Sequence, residues 1–166
     1  MRFTARMLIV PALAAAAFAA NAGTVTVSFV RAVDYADAGS NPWDGEANLK
    51  ILAGHLYKLG QAALPANQIL KIDVLELDLA GTVVFSRPKS IATRILVGGA
   101  DWPQAHLRYT LEQGGKTIAS GDEWISDRDY LHGLAQKPDS GSLYYEKRML
   151  GNWFRARFVD ALAAPG

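Results

Sequence analysis

The chain has 166 residues, half of them apolar, with 15 glycines, 7 prolines, four tryptophans and no cysteine, and its formal net charge is +1. That composition describes one ordinary folded domain and excludes a disordered or low-complexity chain. Without cysteine there are no disulfides, thiolate metal sites, iron–sulfur clusters or thiol nucleophiles, and the charge is too small for a nucleic-acid footprint.

Residues 1–22 read as an export signal. Arg2 and Arg6 form a basic n-region, Met7 to Ala20 is an uncharged Ala/Leu/Val-rich run, and Ala20-Asn21-Ala22 matches a small-residue cleavage site. The apolar run is too short to cross a bilayer, which takes about 20 residues. A Sec-type route is expected because the n-region lacks adjacent arginines, and a lipobox anchor has no cysteine to use. Cleavage after Ala22 leaves residues 23–166 as a single domain and removes two arginines, turning the net charge from +1 to −1. The expected location is the periplasm, as a soluble protein that does not span the membrane.

Thr24 to Arg31 alternates Val25, Val27 and Phe29 with Thr24, Thr26 and Ser28, the pattern of a half-buried strand. A loop from Asp34 to Asn41 follows. Asn41-Pro42 reads as an N-cap with proline at the first helical position, and Asp44 and Glu46 suit the positive helix end. Leu49, Leu52, Leu56 and Leu59 form one helical stripe, and Gly60 is predicted to end the helix, with Pro65 beyond it. Leu70 to Leu79 is the next strand. Its apolar residues change parity, from Leu70, Ile72 and Val74 to Leu75, Leu77 and Leu79, which predicts either a β-bulge or a strand buried on both faces.

Thr82 to Ser90, around Arg87-Pro88-Lys89, is expected to be a protruding loop or short ribbon. Ile91 to Val97 is a strand broken by Gly98-Gly99-Ala100-Asp101. Ala105, Leu107, Tyr109 and Leu111 then alternate with His106, Arg108, Thr110 and Glu112, and Gly114-Gly115 turns this strand back into Lys116 to Ile125. After Asp127 a Gly/Pro/Ser-rich loop runs to near Ser142, the expected cap of a last helix from Leu143 to about Leu162. Leu150, Phe154 and Phe158 make its apolar stripe, widened by Met149 and Trp153. The order β-α-β-β-β-β-α predicts an α+β fold: a largely antiparallel sheet with two helices packed on one face.

Catalytic and cofactor motifs are missing: the chain has no G-x-S-x-G elbow, Walker loop, G-x-G-x-x-G or H-E-x-x-H, so no catalytic residue, metal ligand or cofactor is assigned. His55, His106 and His132 are isolated, and each is read as structural. The carboxylates are the more informative set. Glu76 and Asp78 share a strand face, Asp101-Trp102-Pro103 marks a strand entrance, Asp122-Glu123-Trp124 closes the hairpin, and Asp127 and Asp129 follow. Caps, turn bonds and solvated charge account for such residues; a hard-cation site or an acid/base pair is the alternative. On the last helix, Tyr144-Tyr145-Glu146-Lys147-Arg148 sets cations beside aromatics, as an anionic membrane or a glycan would favour, but the apolar stripe that a helix needs to pack on a sheet is the preferred explanation.

The chain also resembles a known family. The opening strand Val25-Thr26-Val27-Ser28-Phe29-Val30 with Asp37-Ala38-Gly39, then Asp78-Leu79-Ala80-Gly81, Asp101-Trp102-Pro103, Leu107-Arg108-Tyr109, Tyr130-Leu131 and Tyr145-Glu146-Lys147-Arg148-Met149-Leu150 with Trp153-Phe154 are similar to an exported bacterial family catalogued as domain of unknown function 3016. The resemblance implies an exported, Gram-negative protein and gives no residue a role.

Two functions follow. The first is a non-enzymatic binding or accessory module for a protein, glycan or lipid component of the envelope, with Asp78, Asp101, Trp102, Glu123 and Tyr145 as candidate ligand-binding residues. The second is a small carboxylate- or metal-dependent hydrolase using Asp101, Glu123 or Asp127. Convergence of Asp78, Asp101, Glu123 and Tyr145 on one concave pocket would favour a shared site.

Overall fold

Alternating apolar side chains build a four-stranded sheet, and two helical stripes cover one side of it. The computed structural model describes residues 23–86, 91–132 and 142–161. The export signal, the Arg87-Pro88-Lys89 tip, most of the Gly/Pro/Ser-rich loop before Ser142, and Leu162 lie outside the described residues. In chain order the elements are β1 (Thr24–Phe29), a short 3-10 turn (Ala32–Asp34), α1 (Pro42–Ala63), β2 (Gln68–Asp78), β3 (Thr82–Ser86), β4 (Ile91–Ile95), β5 (Gln104–Gln113), β6 (Lys116–Ser126) and α2 (Tyr144–Arg155). A π-helical turn, Ala156–Asp160, extends α2.

The sheet runs β1-β2-β5-β6. β1 is parallel to β2, with α1 as the crossover, while β2–β5 and β5–β6 are antiparallel. The fold is therefore α+β and largely antiparallel. β3 and β4 pair only with each other, as a separate two-stranded sheet. The order of strands along the chain suggests that Ile91–Ile95 joins the main sheet; it does not, and its main-chain bonds go to β3, its neighbour in sequence.

Leu70, Ile72 and Val74 of β2 and Leu107 and Leu111 of β5 point to the covered side, against Leu52 and Leu56 of α1 and Leu150, Trp153 and Phe154 of α2. Each such side chain contributes roughly 1.5–3 kcal/mol on burial. The parity change in β2 is a bulge: the register shifts between Val74 and Glu76, Leu75 has no partner on β5, and Val74 and Leu77 are both buried. His55 of α1 ties the two helices together, its Nε2–H donating to the carbonyl of Lys147 at 2.9 Å.

Two expected boundaries move. Gly60 does not end α1; it is buried inside the helix, where a Cβ would lie 1.9 Å from Val25 Cγ2. Glycine there lets α1 approach β1. The helix stops instead at Leu64, whose extended backbone still donates to Gly60 O at 2.8 Å. At α2, Leu143 rather than Ser142 holds the capping position, with φ 60°, and the first turn closes through Lys147 N–H to Leu143 O at 3.0 Å.

Candidate functional site

The five sequence-nominated residues distribute over three places. Asp101 and Tyr145 meet at Tyr130. The Tyr130 hydroxyl donates to Asp101 Oδ1 at 2.9 Å, and the Tyr145 ring stands edge-on against Tyr130 with centroids 4.9 Å apart. Asp127 belongs to the same joint: Arg148 bonds its Oδ2 through Nε at 2.9 Å and Nη2 at 2.7 Å, and also bonds the Tyr130 carbonyl. The Val97 amide, 2.8 Å from Asp101 Oδ2, leads in holding that carboxyl below its ordinary range. Burial first, and then the Asp101 carboxylate, push the Tyr130 phenol up to about 12, so it stays a donor at any physiological pH. Trp102 stacks with Arg128, whose guanidinium carbon is 5.2 Å from the ring centroid.

Glu123 and Asp78 lie elsewhere. Glu123 receives Arg157 Nε at 3.0 Å and Trp153 Nε1 at 3.3 Å, and it lines an open cleft of about 560 Å³ between β6 and α2. Asp78, at the end of β2, accepts from Gln104 Nε2 at 3.0 Å across the β2–β5 pair. Each of these carboxylates thus has an internal hydrogen-bonding partner, and the cleft that Glu123 lines is not lined by Asp78, Asp101 or Tyr145. Among the described residues no three His, Asp or Glu side chains are placed to hold a metal ion.

Glu146 was not among the nominated residues and is the most deeply buried carboxylate described, 3 % exposed. Its Oε1 accepts the Ala80 amide at 2.8 Å, which fastens the start of α2 to the end of β2. Burial raises its pKa, outweighing the amide bond and the nearby Arg94. A signal was present: Glu146, Met149, Leu150, Trp153 and Phe154 follow the i, i+3, i+4, i+7, i+8 spacing of one buried stripe. A carboxylate on that stripe must find a partner inside the fold.

The larger concavity is a cleft of about 650 Å³ between the start of α1 and β3. Ala32, Tyr35, Ala38 and Leu49 lie on one wall and Val83 on the other, while Val33, at its mouth, is 94 % exposed. Tyr35 is fixed beneath it by donating its hydroxyl to Val74 O at 2.6 Å, and burial pushes that phenol up to about 12. Asn41 caps α1 beside the cleft, its Oδ1 accepting Asp44 N–H at 3.0 Å. The β3 wall is positioned by Arg94 of β4, opposite Val83 in register. Arg94 bonds Asp37 at 2.8 Å and the carbonyls of Ala80 and Gly81 at 3.2 and 3.3 Å. Phe85 lies two residues from Val83, hence on the same face of β3, and is 61 % exposed.

On the uncovered side of the sheet, His106 of β5 stacks on Trp124 of β6, centroids 4.8 Å apart and planes at 11°. Beside them Asp122 bonds both His106 and Arg108, the latter at 2.8 and 3.0 Å.

A family described as protein of unknown function (DUF3016) matches residues 23–156, a span that opens immediately after Ala22. No curated protein matches the chain, and no solved structure does.

Proposed function

The chain belongs to the DUF3016 family of proteins of unknown function, and from that premise we propose that it is an exported, non-catalytic binding module of the bacterial envelope. Its ligand is an apolar group presented by an envelope protein or lipid, and its site is the cleft between α1 and β3. The observation that carries this reading is the cleft itself: about 650 Å³, walled largely by apolar side chains and open to solvent, with Val33 almost fully exposed at its mouth. Ligand sites are concave and mostly apolar, with a few polar groups to set orientation, and Asp37, Ser40 and Asn41 supply those here. The basic n-region and apolar run of residues 1–22 support export. Asp101, Glu123 and Asp127 bond tyrosine, tryptophan and arginine side chains of the same chain, which favours binding over carboxylate catalysis.

A photo-crosslinking residue placed at Val33 in intact Gram-negative cells tests the proposal. The expected result is an adduct with one envelope component, absent when the same residue replaces Lys71 on the opposite face of the sheet. Equal labelling at both positions, or none at Val33, removes the cleft as the site.

A further inference from the structure

Two demands fall on Gly23. It follows Ala20-Asn21-Ala22 directly, so cleavage there makes it the first residue of the processed chain, and the family match also begins on it. In the fold it is buried, and its N–H donates to the carbonyl of Leu64 at 2.9 Å. A Cβ on it would stand 2.6 Å from Leu64 Cβ, 2.7 Å from Pro65 O and 3.0 Å from Gln68 O. The last two are main-chain atoms of the turn after α1 and the start of β2, so no change of rotamer makes room for a side chain. β1 begins at the very next residue. Thr24 pairs with Ile69 and Val25 with Leu70, and Val25, 7 % exposed, packs against Gly60 of α1.

The two demands compete for the same backbone. A peptidase takes its substrate as an extended strand, through main-chain groups and side chains on both sides of the bond it cuts. On the C-terminal side of Ala22–Gly23 these belong to Gly23, Thr24 and Val25, which Leu64, β2 and α1 already hold. On the export reading proposed above, we infer that cleavage after Ala22 precedes the seating of β1: the folded strand hides its own processing site, and a precursor that folds first keeps its signal. Hydrolysis adds one water across the Ala22–Gly23 amide, leaving a carboxylate on Ala22 and a free α-amine on Gly23. When β1 seats, that nitrogen takes the Leu64 carbonyl, at the end of α1 where the helix dipole favours a positive charge. The glycine therefore serves the fold. The small residues that a signal peptidase reads, Ala20 and Ala22, lie on the other side of the bond.

The test uses the full-length, folded precursor and a purified signal peptidase, with the cut read by mass spectrometry. A second precursor carries a short Ser/Gly spacer between Ala22 and Gly23, which moves the bond clear of β1 and leaves the domain unchanged. The expected result is cleavage of the spacer variant after Ala22, with the wild type cut on the order of 100-fold more slowly, because its bond is reached only when β1 opens. Gly60→Ala presses on Val25 from within α1 without touching the cleavage sequence, and it should raise the wild-type rate by roughly tenfold or more. Equal rates for wild type and spacer variant overturn the inference and leave the export reading standing. A rate that Gly60→Ala does not change overturns it as well, since β1 would then not be what shields the bond. A spacer variant that is not cut after Ala22 removes the export reading, and the inference with it.

Discussion

Leu107 on β5 is fully buried, whereas Phe85 on β3 is 61 % exposed, although both lie within antiparallel strand pairs. The main sheet has α1 and α2 over one face, so its alternation becomes an inside and an outside. Among the described residues the β3–β4 ribbon has no such cover, and Val84, Phe85 and Ile95 stay exposed. A two-stranded hairpin is marginal by itself in water, and this one is secured at its base by polar bonds: Arg94 to Asp37 and to the carbonyls of Ala80 and Gly81, and the Gly81 amide to Asp101 O at 2.8 Å. The contrast teaches that the same backbone pairing is held by apolar burial in one region and by a few directed contacts in the other. Glu146, bonded to the Ala80 amide, stands where the two regions meet.

Three substitutions probe that contrast. Leu107→Ala should cost about 2–5 kcal/mol in urea denaturation, since it opens a cavity in the covered face of the sheet; a loss below 1 kcal/mol would mean that the sheet does not depend on its roof. Arg94→Met should cost less, about 1.5–3 kcal/mol, because hydrogen bonds to charged groups are lost and Asp37 is left without its cation. Its signature is local: hydrogen exchange should accelerate in β3 and β4 while β2 and β5 keep their protection. Uniform acceleration would show that ribbon and sheet open as one unit.

Glu146→Gln should have the smallest effect at neutral pH and a distinctive pH dependence. Burial raises the carboxyl above its ordinary 4.5, so its contribution to stability is fully present below that value and is lost as pH rises through the raised one. Glutamine keeps an oxygen for the Ala80 amide and has nothing to titrate. Stability measured from pH 4 upward should therefore fall in the wild type relative to Glu146→Gln, and parallel curves would contradict the burial of that charge.

Much of this architecture is written in local patterns. The leucine stripe located α1, Asn41-Pro42 located its start, and the parity change between Val74 and Leu75 gave a bulge as one of two readings, because each depends on residues close in sequence. What escaped depends on distant partners. A glycine that ends a helix and one that admits a neighbouring strand look alike until Val25 is seen against Gly60. Glu146 in a first helical turn reads as a complement to the helix dipole, and only the Ala80 amide, 66 residues away, gives it a buried role. Asp101, Glu123 and Tyr145 were recognisable as unusual, yet their partners Tyr130, Arg157 and Trp153 arrive through folding.

The bond from Gly81 to Asp101 also bears on how quickly the chain can fold. β2 and β5 are neighbours in the sheet but are separated in sequence by the whole ribbon, and the entropic cost of closing such a loop grows with its length. Wherever the ribbon and its basal bond are formed, they hold Asp78 and Gln104 near one another and shorten the loop left to close. The search for that central contact is then set by the few residues flanking the ribbon, and lengthening the ribbon itself would slow it little.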